Sequence, residues 1–236
     1  MERETRTQEI TRVLRGEVLE GRYRPGERLP SERDLAARFQ TTRGMVRVAL
    51  TQLEQLGVAD VQPGGTRVVP IQQASLDVVG HLLDLRDPPD PELVDQILEV
   101  AGALLCAAAR IAVERGEPQQ LNRARALTTQ LEQPDLAPAD HLDLLHELAL
   151  VLRDATHNLV LELVFRGLRT QFLERFRTAE WRPDPDPSQL QLTAKELGRA
   201  LDQRDPASAS EALHGLWRSL RAGVRHALEK RRRRQP

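Results

Sequence analysis

Only one stretch of this chain is composed for strands. Val58-Ala-Asp-Val61 and Thr66-Arg-Val-Val69 are short β-prone runs joined by Gln-Pro-Gly-Gly, a turn-forming tetrapeptide, and together they read as a hairpin. Three helical segments precede it. Roughly from Thr5 to Glu20, Ile10, Val13, Leu14 and Val18 recur at three-and-four spacing, the mark of an amphipathic helix, until Gly-Arg-Tyr-Arg-Pro-Gly-Glu-Arg breaks it. Ser31 then stands where it can cap a short helix with Glu32 and Asp34 near its positive end and Leu35, Ala36 and Phe39 on one face. Thr41 or Thr42 can cap a third, in which Val46, Ala49, Leu50, Leu53 and Leu56 repeat until Gly57 stops it. Three helices followed by a hairpin make a winged helix-turn-helix.

Beyond residue 70 the composition changes. Leu and Ala dominate, β-branched runs vanish, and helical patterns alternate with proline-marked breaks. The expected helices run over 75–86, 91–115, 117–132, 138–156, 158–180, 188–203 and 206–231, and 181–187 is the clearest loop. The chain therefore reads as mainly α: a DNA-binding domain over 1–70, a linker over 71–76, and an all-α bundle of six or seven helices over 77–236.

Charge separates the same regions. The formal net charge is only -1, yet residues 1–70 carry 12 basic and 10 acidic side chains, 71–217 carry 14 and 24, and 218–236 carry 8 and 1. A nucleic-acid surface must then lie at an end of the chain. The run Lys230-Arg-Arg-Arg-Arg234 reads as a solvated tail. No stretch approaches 18 consecutive apolar residues, and Met-Glu-Arg-Glu-Thr-Arg at the start is charged where a signal peptide needs its apolar core, so the expectation is a cytoplasmic protein with no membrane partner. Cys106 is the single cysteine, which excludes an internal disulfide and a thiolate zinc cage, and its apolar surroundings read as a small buried residue. There is no Gly-rich phosphate loop, nucleophile elbow, thiolate motif or recognisable carboxylate pair, so an enzyme is not expected.

Candidate contacts follow from how such a motif meets DNA. Its second helix enters the major groove, where Arg43 and Arg47, one turn apart, can each bond guanine O6 and N7. Thr41 and Thr42 at the helix start can bond phosphate or a base edge, and Arg33 can reach backbone or base. Gly64 and Gly65 at the hairpin tip allow close approach to the minor groove, with Arg67 near a phosphate.

Residues Arg24-Pro-Gly-Glu-Arg-Leu-Pro-Ser-Glu-Arg-Asp-Leu-Ala-Ala-Arg38, then Thr42-Arg43 to Leu53, then Gly57, resemble the GntR family of bacterial transcription regulators over about residues 5–69. The resemblance implies a homodimer on a palindromic double-stranded operator, with Arg33, Thr42, Arg43 and Arg47 at contact positions. Gly44 departs from the Ser or Thr common there, and Pro63 from a polar or basic wing residue.

The helical region resembles the effector-binding FCD domain of the FadR-like subfamily, through Ala108-Ala-Arg-Ile-Ala-Val-Glu-Arg115, Asp154-Ala-Thr-His-Asn158 and Ala200-Leu-Asp-Gln-Arg-Asp205. Many such domains hold a divalent metal with one Asp and three His, beside an Arg that grips a carboxylate. Counting from those landmarks, the metal positions fall on Leu145, Ala149, Ala194 and Leu216 and the Arg position on Ala101. These five also sit on apolar stripes at helical spacing: Val94, Ile97, Leu98, Ala101, Leu104, Ala108; Leu142, Leu145, Ala149, Leu152; Leu190, Ala194, Leu197, Leu201; and Leu213, Leu216, Leu220, Val224. No metal and no cofactor are expected. A pocket without polar groups suits an apolar or acyl-type small-molecule effector or none at all, because buried carboxylates need partners. The alternatives are a constitutive repressor, or a metal-dependent, carboxylate-sensing regulator using His141, Asp143 and His146, with His157 or His214.

Overall fold

The computed structural model describes residues 5–133, 136, 138–173 and 186–233, without the side chains of 138, 139, 142 and 173. Two compact units emerge, Met1–Asp87 and Pro88–Pro236.

In the first unit, α1 (Arg6–Leu19) starts on Thr5, which forms a reciprocal capping box with Gln8. Ser31 caps α2 (Glu32–Arg38), and of the two candidate threonines it is Thr42 that caps α3 (Arg43–Gln55), its hydroxyl accepting from the Met45 N–H. Strands β1 (Ala59–Gln62) and β2 (Gly65–Val68) pair antiparallel with Ala59 opposite Val68 and Gln62 opposite Gly65. Ile10, Leu14, Leu35, Val46, Leu53, Val58 and Val68 form one core under the three helices and the hairpin. The expected fold class is borne out.

The Arg-Pro-Gly-Glu-Arg-Leu stretch after α1 reads in the sequence only as a break. In the structure Gly26 N–H donates to the Val68 carbonyl at 2.8 Å, Val68 N–H to Glu27 at 2.9 Å, and Leu29 N–H to Thr66 at 2.9 Å, so this segment lies along the free edge of β2. That covers backbone groups which the hairpin alone would leave open.

The residues read as a linker are not loose either. A short turn, Ile71–Gln73, leads into α4 (Val78–Leu83), Ser75 N–H donates to the Leu56 carbonyl at 2.9 Å, and Val78, with Ala74 and Leu82 beside it, joins the first core. The first compact unit thus runs on to Asp87, because apolar residues after the wing pack back on it.

One buried charge holds α1 to α2. Glu17 is 7% exposed, and its carboxylate accepts from Arg38 Nη1 at 2.9 Å and Nη2 at 2.5 Å and from Arg22 at 3.2 Å. The Arg38 hydrogen bonds hold this carboxyl below the usual range, against the opposing pull of burial. A depressed carboxyl stabilises the fold fully above its unfolded value, about 4.3, and loses that contribution as pH falls through the lower folded value. Glu17→Gln is expected to cost the first unit about 1–3 kcal/mol at pH 7. It should also flatten the acid limb of its stability curve, read by urea titration between pH 7 and about pH 3. An unchanged acid limb in the variant would show that the pair does not couple to folding.

The second unit is helical: α5 (Pro91–Arg115), α6 (Pro118–Leu131), α7 (Pro138–Asp154), α8 (Leu159–Leu168) with a wider turn over Arg169–Leu173, α9 (Pro187–Gln203) and α10 (Pro206–Arg232). Residues 174–185, covering the end of the expected 158–180 helix and most of the 181–187 loop, lie outside the described residues. By length and composition alone α5 could cross a membrane. Here it is the central helix, packed on α10, α7 and α8. Arg221 grips Asp95 side-on at 3.0 and 2.7 Å and Arg225 adds a third bond at 2.8 Å, clamping α10 to α5. Cys106 is half-buried, and burial pushes its thiol pKa up, which fits an inert role.

Candidate nucleic-acid interface

The reading surface is set by what α3 buries. Val46, Ala49, Leu50 and Leu53 turn inward, and the same helical period therefore turns Arg43, Gly44, Arg47, Val48 and Thr51 to solvent. The turn before α3 is tight: Gln40 takes a left-handed φ of 49° and Thr41 N–H donates to the Ala36 carbonyl at 2.9 Å.

Each expected contact residue can be placed. Arg43 is exposed at the start of α3, and Arg33 is 78% exposed on α2 with Asp34 at 3.7 Å. Arg47 is 68% exposed and bonded to Glu32 through Nε at 3.0 Å and Nη2 at 2.9 Å. Those bonds hold the Glu32 carboxyl below its ordinary range, with the charge of Arg43 helping. The two threonines are already engaged: Thr42 in the cap, and Thr41 through its hydroxyl to the Met45 sulfur at 2.9 Å. At the wing, Gly64 and Gly65 are exposed with φ of 118° and 131°. Arg67 is exposed, and its Nη1 donates to the Gly26 carbonyl at 2.7 Å. The structure thus gathers Arg33, Arg43 and Arg47 on the α2–α3 surface and sets the wing glycines at the tip of the hairpin.

Two residues on this surface were not singled out by sequence reasoning. Met45 and Val48 are 42% and 51% exposed, unusual for large apolar side chains. The signal was present, since Val48 falls one position after Arg47 and opposite the buried stripe. Apolar atoms there suit the thymine methyl group, as the arginines suit guanine. Glu32, the partner of Arg47 across the turn, was also missed, and no spacing rule connects residues on two different helices.

In the second unit, Ala101, Ala194 and Leu216 are 5%, 3% and 4% exposed, whereas Leu145 and Ala149 are half-buried against the core that holds Ala194 and Leu216. The stripes on α9 and α10 are buried as expected. On α5, Leu105 is buried and Leu104 half-buried, and on α7, among the described side chains, His141, Leu148 and Leu152 are buried. The side chains of Leu145, Ala149, Ala194 and Leu216 offer no donor atom, so these residues do not fit a metal. The rival ligands do not assemble either: Asp143, His157 and His214 are exposed while His141 is buried with Nε2 unbonded, and among the described residues no three His, Cys, Asp or Glu side chains gather to hold an ion.

Comparison with known proteins gives three results. Residues 6–69 match the model of the bacterial regulatory proteins of the gntR family, and residues 96–219 match the FCD domain. The HTH-type transcriptional regulator Rv0494 of Mycobacterium tuberculosis is 30% identical over 206 residues, 85% of this chain and 82% of that protein. A fatty acid metabolism regulator protein of Shewanella halifaxensis is 32% identical over 154 residues, 64% of each chain. Among solved structures, the Listeria monocytogenes protein Lar superposes with a TM-score of 0.54 at 17% identity, covering 98% of this chain and 99% of that one, a likeness of fold.

Proposed function

This chain belongs to the GntR family of bacterial regulatory proteins and carries an FCD domain, and from that premise we propose that it binds a palindromic operator as a homodimer and answers to an apolar or acyl-type small molecule. It is a DNA-binding transcription regulator and not an enzyme. The observation that carries the operator reading is the outward face of α3. Arg43 and Arg47 lie one turn apart with Val48 beside them, presenting cations and an apolar group where a groove presents guanine and thymine. Reading two half-sites at once requires two copies of α3, hence a two-fold dimer acting on cytoplasmic DNA.

Effector chemistry is argued from the second unit. Ala101, Leu145, Ala149, Ala194 and Leu216 give a ligand no charge to pair with, which disfavours a buried carboxylate and favours an acyl chain whose polar head stays outside the apolar lining. The fatty acid metabolism regulators among its relatives share this direction. A constitutive regulator is the second reading, favoured by the packing of Ala194 and Leu216 inside the continuous core. A thermal-shift screen of fatty acids and acyl-CoA thioesters separates them: binding at about 100 times the Kd adds about 2.7 kcal/mol, whereas a closed core gives no shift with any of them.

DNA binding is tested by titrating full-length protein on its own upstream DNA and on an unrelated duplex in about 150 mM salt, which suppresses non-specific attraction. Wild type is expected to prefer its operator by about a hundredfold or more, and Arg43→Ala to lose about tenfold or more of that margin while keeping its affinity for the unrelated duplex. Absence of preference on upstream DNA and across a genome-wide selection of sites would sink the operator reading.

A further inference from the structure

The Glu32–Arg47 pair joins α2 to α3 on an exposed surface. Arg47 is 68% exposed and Glu32 33%, and exposed ion pairs contribute little to folding. Its geometry is nevertheless specific. Glu32 Oε1 takes the Nε hydrogen at 3.0 Å and Oε2 takes one Nη2 hydrogen at 2.9 Å, so the carboxylate occupies one edge of the guanidinium, the side-on edge. A guanidinium has five N–H donors in a plane. The pairing leaves three: both on Nη1 and one on Nη2. Two of these, one from each nitrogen, lie parallel along the end-on edge, the arrangement that guanine O6 and N7 accept.

We propose that Glu32 is a positioning residue that holds Arg47 side-on and so presents the opposite edge to a single guanine in the major groove. The inference rests on α3 being the DNA-reading helix. Three features support it. Glu32 stands in the first turn of α2, whose start is fixed by the Ser31 cap, so the carboxylate is delivered from a second, independently anchored helix. Arg47 would otherwise be a long side chain free to sample many rotamers, each of which meets phosphates as readily as bases; the fork removes that freedom before DNA arrives. The carboxylate also keeps a negative charge beside Arg47, which discourages a retreat to the phosphate backbone and favours an uncharged base edge. Arg43 has no ion pair among the described residues, so the two arginines of α3 differ in kind: one held, one free.

The consequence is separable from loss of fold or of general affinity. A duplex selected by the full-length protein from a randomised pool is titrated with wild type, Arg47→Ala, Glu32→Ala and Glu32→Gln, and again with each guanine replaced in turn by 7-deazaguanine, which lacks N7. Arg47 is assigned to the guanine where wild type loses about tenfold on that replacement and Arg47→Ala loses nothing further. At that guanine alone, Glu32→Ala is expected to lose only about twofold, while other guanines keep their wild-type sensitivity and binding to an unrelated duplex strengthens. Glu32→Gln, with one acceptor oxygen left, should fall between Glu32→Ala and wild type. A full tenfold sensitivity at the Arg47 guanine in Glu32→Ala, or an equal loss of sensitivity at every guanine, overturns the proposal and leaves the DNA-reading role of α3 standing. Should no guanine depend on Arg47 in the wild type, that role and the positioning of Arg47 fall together.

Discussion

Gly57→Ala is expected to destabilise the DNA-binding unit by about 2–4 kcal/mol, which for a unit of this size lowers its melting temperature by about 10 °C or more. Two costs combine. Gly57 has a φ of 70°, the left-handed conformation that closes α3: its N–H donates to Glu54 at 2.8 Å and the next N–H, on Val58, returns to Leu53 at 3.1 Å. An alanine there pays about 1–2 kcal/mol for conformation alone. The second cost is steric, since a Cβ would stand 3.0 Å from both Ala74 Cα and the Gln73 carbonyl oxygen, backbone atoms that cannot swing aside. Gly21 is the internal control, with a φ of 78° but open space around it, so Gly21→Ala should show the first cost without the second. Both tryptophans, Trp181 and Trp217, belong to the second unit, so Trp fluorescence follows that unit while far-UV circular dichroism follows both. Gly57→Ala should move the dichroism transition and spare the fluorescence one. Equal effects of the two alanines would show that the linker does not press on the turn.

That contact explains which parts of the fold a sequence discloses. The starts of α5, α6, α9 and α10 were legible because each is marked by a cap and a proline, as in Asp90-Pro91 and Asp205-Pro206, and their buried faces follow from a local period. Gly57 was legible as a stop for the same local reason. What it touches was not, because the partner is a segment whose composition, Ile-Gln-Gln-Ala-Ser, carries no pattern of its own. The Pro25–Leu29 segment is similar: its proline and glycine announce a break, while its pairing depends on the free edge of a strand that begins at Gly65.

The site divides along the same line. Arg43, Arg47, Gly64 and Gly65 could be named from the motif, since helix-turn-helix geometry assigns them a direction before any coordinates exist. The engagement of Thr41 with Met45, the turning of Arg67 onto Gly26, and the bond from Glu32 to Arg47 could not, because each is a choice of rotamer made by a neighbour across a turn or a strand. In the helical unit, absent ligands were legible as a list of Leu and Ala. Whether they enclose space or fill it depends on packing: the burial of His141 on α7, with Leu145 and Ala149 half-buried, has no sequence signature.

Gly102 carries the second large prediction. Inside a 25-residue helix a glycine costs about 1 kcal/mol relative to alanine, so by propensity Gly102→Ala should stabilise α5. The opposite is expected. A Cβ at this position would fall within the van der Waals envelope of Trp217, on Cδ1, Nε1 and Cγ of the indole, and Trp217 reaches that place to donate its Nε1 hydrogen to the Leu98 carbonyl, one turn earlier in the same helix. Moving the indole breaks that bond and opens the seam between α5 and α10, the most extensive helix pairing in the unit. The net cost should be about 2–4 kcal/mol, the sum of overpacking and a lost hydrogen bond less the recovered propensity. A double-mutant cycle with Trp217→Leu, followed by circular dichroism because the probe tryptophan is removed, isolates the contact. With the ring gone, Gly102→Ala should become neutral or stabilising, so the pair costs at least about 2 kcal/mol less than the two single changes added together. Strict additivity would mean that the glycine is retained for a reason other than Trp217, and that the α5–α10 seam does not depend on this close approach.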